Sequence, residues 1–192
     1  KQRTMAVQHE IKSQLAKLLA TEDLVVEHKQ VETASFNVET RVLVLPLWEK
    51  ASNSIYDMLV GHEVGHALFT PNAAALDNWY KRTEVPHGIV NVCEDARIEK
   101  LMKRKYMGLA KTFYYGYSEL HDDDFFNLEE EDLDSFNLAD RINLYFKIGN
   151  FLDLQFTERE TEIRELVGKS ETFDEVLEAA KVLHEYCKEE QE

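Results

Sequence analysis

Two histidines and a glutamate, in the run His62-Glu63-Val64-Gly65-His66, are the residues of this sequence with the clearest capacity for chemistry. On a helix, residues four apart lie on one face a turn apart, so both imidazoles can point at one ion. Imidazole nitrogens bind Zn²⁺ at about 2.0–2.1 Å, and the ion acidifies the water it holds. Glu63 can take that proton as general base. The motif predicts a site for one Zn²⁺ with a catalytic carboxylate.

A catalytic zinc site needs a third protein ligand and one position left open for water. The downstream candidates are His87, Glu94, Asp95 and Glu99. Glu94 is the preferred ligand, because it lies among apolar residues where an unpaired carboxylate would be costly unless it met a cation. Asp95 is the close rival, about 100° further around the helix. His87 precedes that helix, where it could be a ligand, a transition-state donor or an ordinary exposed histidine.

Two helices are expected to position these residues. Residues 52–71 are apolar nearly all round, which predicts a buried helix that is capped near Ser52 and stopped at Thr70-Pro71. A second long helix is predicted from about Gly88 to Met107. Between them, residues 72–88 read as a loop with room for a short helix at 73–81.

The segments HEVGHALF and NVCEDARIE together resemble the gluzincin branch of zincin metallopeptidases. The resemblance implies that His62, His66 and Glu94 are zinc ligands, that Glu63 is the general base, and that the substrate is a peptide or protein. HEVGHALFTP with the downstream acidic helix further resembles the zincin-like domain that precedes a von Willebrand A domain in some phage and cobalt-chelatase-related proteins. That narrower likeness covers roughly residues 30–110, and it implies an A-type partner domain outside this chain.

The sequence departs from the gluzincin pattern in one position. Many gluzincins carry an Asp four residues after the ligand Glu, where it holds a ligand histidine in its tautomer. Ile98 stands there in this chain, so that role would fall to another acid such as Asp95 or Asp57. The gap of 27 residues between His66 and Glu94 is also longer than in several subfamilies.

A peptidase also needs a way to hold its substrate and an electrophile for the oxyanion. An edge strand at Arg41–Leu45 could pair with an extended peptide, and it could equally be an ordinary strand of the core sheet. The candidates for this electrophile are His87 and three tyrosines that follow the ligand helix: Tyr114, Tyr115 and Tyr117. Tyr115 is the preferred tyrosine. Aromatic residues at this density can equally serve as core packing.

The order of elements predicts an α+β fold of zincin-like type. An amphipathic helix at residues 4–20 precedes two or three strands between Leu24 and Trp48, which form a small mixed or antiparallel sheet. The active-site helix, the ligand helix and a helical C-terminal part follow. We expect residues 1–192 to be a single domain, with the sheet and metal-site helices in about 1–118 and an acidic loop and C-terminal helices in about 119–192.

Composition narrows the function. With 22 Lys+Arg against 37 Asp+Glu, the formal net charge is −15, which argues against nucleic acid or anionic membrane as the main partner. No apolar run is long enough to span a bilayer, and the N-terminus has no signal core, so we expect a cytoplasmic protein. Because residue 1 is Lys, we expect a fragment or a processed product.

These observations predict a zinc metallopeptidase. The main alternative is a non-catalytic zincin-like module for binding or assembly, with structural zinc or none. A zinc hydrolase that acts on a non-peptide amide is a third possibility.

Overall fold

The computed structural model of the chain describes residues 9–48 and 51–191. Within these residues the fold is α+β and mostly helical, with eight α-helices and one small sheet. The expected helix at residues 4–20 is observed from His9 onward, and residues 1–8 lie outside the described residues. The helices are α1 (His9–Ala20), α2 (Asn53–Phe69), α3 (Asp77–Thr83), α4 (His87–Lys105), α5 (Leu109–Asp122), α6 (Leu138–Ile148), α7 (Glu158–Gly168) and α8 (Phe173–Gln191).

The sheet is mixed and has the strand order β1-β3-β2, with β1 at Val25–Lys29, β2 at Ser35–Asn37 and β3 at Val42–Pro46. β3 runs parallel to β1 and antiparallel to β2. The expectation that Arg41–Leu45 forms an edge strand was therefore wrong, because β3 is central and β2 is an edge. Pro46 is compatible with this position because it is the last residue of the strand, where its missing N–H interrupts no ladder.

Helix α2 lies at the centre of the N-terminal part of the fold, packed against α1, α4, α5 and the sheet. Ser52 caps it by accepting a hydrogen bond from the backbone N–H of Ile55, and the helix ends before Thr70. Its glycine at position 65 allows close contact with α4, since a Cβ there would lie 2.8 Å from Ile98 Cδ1. This close approach brings the histidine face of α2 next to α4.

Helix α4 separates two clusters of buried apolar side chains. Met102 belongs to the cluster formed mainly by α1, the sheet, α2 and α5, whereas Val90 and Cys93 belong to the one formed with α6, α7 and α8. Burial raises the pKa of the Cys93 thiol to about 12, so this cysteine is an inert core residue. None of the described helices is long and apolar enough to cross a bilayer.

The acidic stretch that begins at Glu119 is helical in its first turn. Helix α5 continues to Asp122, so the expected boundary near residue 118 falls inside a helix. Beyond it the chain forms turns, in which Asp124, Asn127 and Glu130 adopt positive φ angles of 51–64°. The loop expected for the acidic stretch is thus observed from residue 123 onward.

Candidate metal centre

Three side chains from α2 and α4 converge on one point. Oδ1 of Asp95 lies 3.3 Å from Nε2 of His62 and 3.1 Å from Nε2 of His66. The two imidazoles come from the same face of α2, as the spacing of four predicts, and their ring centroids are 5.0 Å apart. In the part of the chain that the structure describes, this trio is the group whose ligand atoms are close enough to share a metal ion.

The other ring nitrogen of His62 is held by a buried carboxylate. Its Nδ1 lies 2.7 Å from Oε2 of Glu99, and the hydroxyl of Tyr117 donates to the same oxygen at 2.5 Å. Both ring nitrogens of His62 face carboxylates, but Glu99 lies 2.7 Å from Nδ1 and Asp95 lies 3.3 Å from Nε2, so the proton of a neutral ring belongs on Nδ1. Nε2 then keeps its lone pair and directs it toward Asp95.

A second chain of contacts fixes His66 in the same way. Its Nδ1 lies 2.9 Å from the hydroxyl of Thr70, which donates its single proton to Oε2 of Glu94 at 2.7 Å. The Thr70 oxygen must therefore accept from Nδ1–H of His66. Arg97 holds Glu94 through Nε at 2.6 Å and Nη2 at 2.9 Å, and both of these side chains are buried.

The resulting atom set suits a metal ion. In the neutral tautomers two imidazole nitrogens and one carboxylate oxygen face each other, an arrangement that either a proton on an imidazole or a bound cation can stabilise. Two histidines and one carboxylate are a known ligand set for catalytic zinc, and the hydrogen bonds on both Nδ1 atoms are the outer contacts that such ligands use. The residues present therefore fit Zn²⁺.

The charged groups around the trio also favour a bound cation. Burial acts to lower the pKa of His62, yet Asp95 and Glu99 raise it well above its ordinary value. Burial acts to raise the pKa of Asp95, yet His62 and Lys147 hold it well below its ordinary value. When ionised, the carboxylates of Glu63, Asp95 and Glu99 outnumber the ammonium of Lys147 by two charges, which one divalent cation neutralises.

Glu63 is the acidic residue best placed for proton transfer. It is buried, and it lines the same cavity as His62, His66 and Asp95. Burial raises its pKa, and the two neighbouring histidines oppose that rise. A carboxylate with a raised pKa is a stronger base, as general-base catalysis near neutral pH requires.

The cavity has a volume of about 490 Å³ and opens to solvent between β2, α2, α4 and α5. Ser35 and Phe36 of the edge strand β2 form part of its wall. Apolar side chains cover much of the remainder, including Leu76, Tyr80, Phe125, Phe126 and Phe173. A concave wall that combines apolar side chains with convergent polar groups is typical of a ligand site.

Some of the site residues predicted from the sequence lie at the cavity, and others do not. His62, Glu63 and His66 lie together at the cavity, and Asp95 rather than Glu94 completes the trio, because both oxygens of Glu94 are bound by Arg97 and Thr70. His87 is exposed and stacks on Tyr80 with ring centroids 3.8 Å apart.

Neither His87 nor Tyr115 belongs to the wall of the cavity, and Tyr115 is 49% exposed. Asp57, the other acid that the sequence offered for holding a ligand histidine, forms an ion pair with Lys12 and does not line the cavity.

Sequence reasoning missed the contacts of Thr70 and Glu99 and the nearness of Lys147 to Asp95. One signal was present for Glu99: it stands four residues after Asp95, as the histidine-holding acid of gluzincins stands four after the ligand. If Asp95 rather than Glu94 is taken as the ligand, the acid expected four residues later is Glu99, and Ile98 is no longer a departure from the gluzincin pattern. Lys147, which is 52 residues from Asp95, had no local signal.

Comparisons with known protein families, with curated proteins and with solved structures find no match for this chain. Inferences about its function therefore depend on the geometry of the site.

Proposed function

We propose that this chain is a zinc-dependent hydrolase with His62, His66 and Asp95 as the metal ligands. The observation that carries the proposal is the convergence of two Nε2 atoms on Oδ1 of Asp95, at 3.1 and 3.3 Å, with both Nδ1 atoms already bound elsewhere. The proposal keeps the gluzincin-like histidine pair and replaces the expected ligand Glu94 with its neighbour. A partner A-type domain stays a prediction.

The proposed reaction is hydrolysis of a peptide bond with Glu63 as general base. Zinc, when bound, would acidify water and polarise the substrate carbonyl. Glu63 accepts a proton from water while the water oxygen bonds to the carbonyl carbon and the C=O π pair moves to oxygen. When the C–N bond breaks, the nitrogen keeps the bonding pair and receives the proton from Glu63, and the carbonyl re-forms.

A peptide is the substrate class that the cavity favours. β2 is an edge strand, and two of its three residues line the cavity, so an extended peptide could pair with it through main-chain hydrogen bonds. The aromatic side chains Phe125 and Phe126, which also line the cavity, offer an apolar surface for a substrate side chain.

The test compares zinc-loaded wild type with Glu63→Gln on a mixture of internally quenched peptides. We expect wild type to cleave, chelation to abolish cleavage, zinc to restore it, and Glu63→Gln to lose about 100-fold or more of the rate while it retains zinc. Glu131→Gln changes an exposed glutamate and serves as the matched control.

Two outcomes would contradict the proposal. Cleavage by Glu63→Gln at the wild-type rate would overturn its role as base. Zinc bound by wild type with no turnover of any peptide in the mixture would favour the non-catalytic binding module.

A further inference from the structure

Lys147 brings a positive charge into the candidate metal centre. It lies on α6, and its Nζ is 3.1 Å from Oδ2 of Asp95, whose other oxygen faces the two histidines. Its side chain is 18% exposed and reaches the wall of the 490 Å³ cavity. Among the described residues that line this cavity, Lys147 is the single lysine or arginine.

A lysine in this position requires an explanation, because an ammonium group beside a cation site repels the metal. Asp95 divides its two oxygens, Oδ1 toward the histidines and Oδ2 toward Lys147. One carboxylate therefore links the two histidines, where the metal would bind, to the ammonium group of Lys147, and all of these groups line the same cavity. Such an arrangement disfavours metal binding taken alone, and it favours a ligand that carries negative charge close to the metal.

Hydrolysis produces negative charge of this kind, on the carbonyl oxygen of the substrate. Of the oxyanion donors expected from the sequence, His87, Tyr114 and Tyr115 do not line the cavity: His87 stacks on Tyr80, and both tyrosines are exposed. Tyr117 is already engaged, because its hydroxyl donates to Glu99. The ammonium of Lys147 has three N–H donors on a flexible four-carbon stem, so it can bind Asp95 and a second acceptor together.

We propose that Lys147 is a catalytic residue that donates a hydrogen bond to the carbonyl oxygen of the substrate as that oxygen becomes negative. This inference rests on the proposed function. Lys147 donates this hydrogen bond and transfers no proton: the π pair of the carbonyl moves to oxygen, the proton of water goes to Glu63, and the Lys147 N–H···O contact strengthens as charge develops. A donor fixed in a partly buried cavity needs little reorganisation when the charge appears.

The experiment measures ligand affinity rather than turnover, on zinc-loaded protein by calorimetry. The probes are acetyl-Phe-Leu-amide and its phosphonamidate, in which a tetrahedral, singly negative phosphorus group replaces the central carbonyl. We expect Lys147→Met to weaken binding of the phosphonamidate by about 100-fold and binding of the parent dipeptide by less than about threefold. Lys147→Arg keeps the charge and should recover most of the affinity.

Lys103→Met is the matched control, because it removes one lysine charge from α4 while Lys103 does not line the main cavity. It should bind both probes like wild type. Zinc content is measured for every variant, and Lys147→Met should retain one ion per chain.

Three results would overturn the proposal: unchanged phosphonamidate affinity in Lys147→Met, equal losses for both probes, or loss of zinc, which would make Lys147 a positioning residue for Asp95. A loss in Tyr80→Phe but not in Lys147→Met would move the role to Tyr80. Because binding needs no turnover, these results separate Lys147 from the proposed function. Failure of wild type to bind zinc would overturn both.

Discussion

Asp95 and Glu99 lie one turn apart on α4 and contact the two different nitrogens of the His62 imidazole ring. Asp95 faces Nε2 of His62 at 3.3 Å, whereas Glu99 holds Nδ1 at 2.7 Å. The spacing of four places both carboxylates on the face of α4 that packs against α2. In the proposed zinc site, Asp95 would bind the metal and Glu99 would fix the tautomer that makes His62 a ligand.

Glu99→Gln should weaken zinc binding by about tenfold or more, because the neutral amide no longer stabilises the His62 ring through a charged hydrogen bond. The measurement is competition with a zinc chelator of known affinity. Glu131→Gln, which alters an exposed glutamate, should bind zinc like wild type. Wild-type affinity in Glu99→Gln would show that the contact between Glu99 and His62 does not support the site.

Gly65→Ala should reduce the free energy of unfolding by about 1–2 kcal/mol, despite the better helix propensity of alanine. The added methyl would lie 2.8 Å from Ile98 Cδ1 and 3.0 Å from Met102 Cγ, so α4 would have to move away from α2. Chemical denaturation measures the change. Gly108→Ala is the control, since nothing lies within 4 Å of a Cβ there. Equal stability of both variants would refute the close packing.

The sequence predicted the parts of this fold that depend on local pattern. Apolar residues located α2 and α4, β-branched and aromatic residues located the segment that holds the strands, for which two or three were expected, and the spacing of four placed His62 and His66 on one face. The strand order was not predictable in this way, because the alternation that buries Leu43 and Leu45 does not specify which strands lie beside β3.

The third member of the trio depended on packing. Glu94 and Asp95 point about 100° apart, and which of them faces α2 is decided by the rotation of α4 against α2. Glu94 is buried and meets a cation, as its apolar surroundings require, but that cation is Arg97, three residues further along the same helix. That spacing makes the two side chains neighbours on the helix surface.

The ion pair between Glu160 and Arg141 should make stability depend on pH, and it joins α7 to α6, the helix that carries Lys147. Hydrogen bonding to Arg141 is the main reason that the pKa of Glu160 falls from 4.5 to about 2. A lowered pKa in the folded state adds stability above pH 4.5, and this stability is lost as the pH falls toward 2.

Glu160→Gln should therefore cost about 1–3 kcal/mol of unfolding free energy at pH 7, because it leaves a partly buried guanidinium without its charged partner. The difference from wild type should shrink as the pH falls toward 2. Denaturation curves at several pH values measure it, with Glu178→Gln on the exposed side of α8 as control. A difference independent of pH would rule out the charge as its source.

The identity of the third zinc ligand is central to the proposed site. Zinc titration of Asp95→Asn beside Glu94→Gln tests that identity directly. We expect wild type to bind one zinc per chain and Asp95→Asn to lose more than about 100-fold in affinity, beyond the usual effect of an outer contact. Glu94→Gln should be less stable by about 3 kcal/mol, because Arg97 loses its buried partner, yet it should hold zinc within about tenfold of wild type. Tight zinc binding by Asp95→Asn, or loss of zinc by a folded Glu94→Gln, would contradict Asp95 as the third ligand.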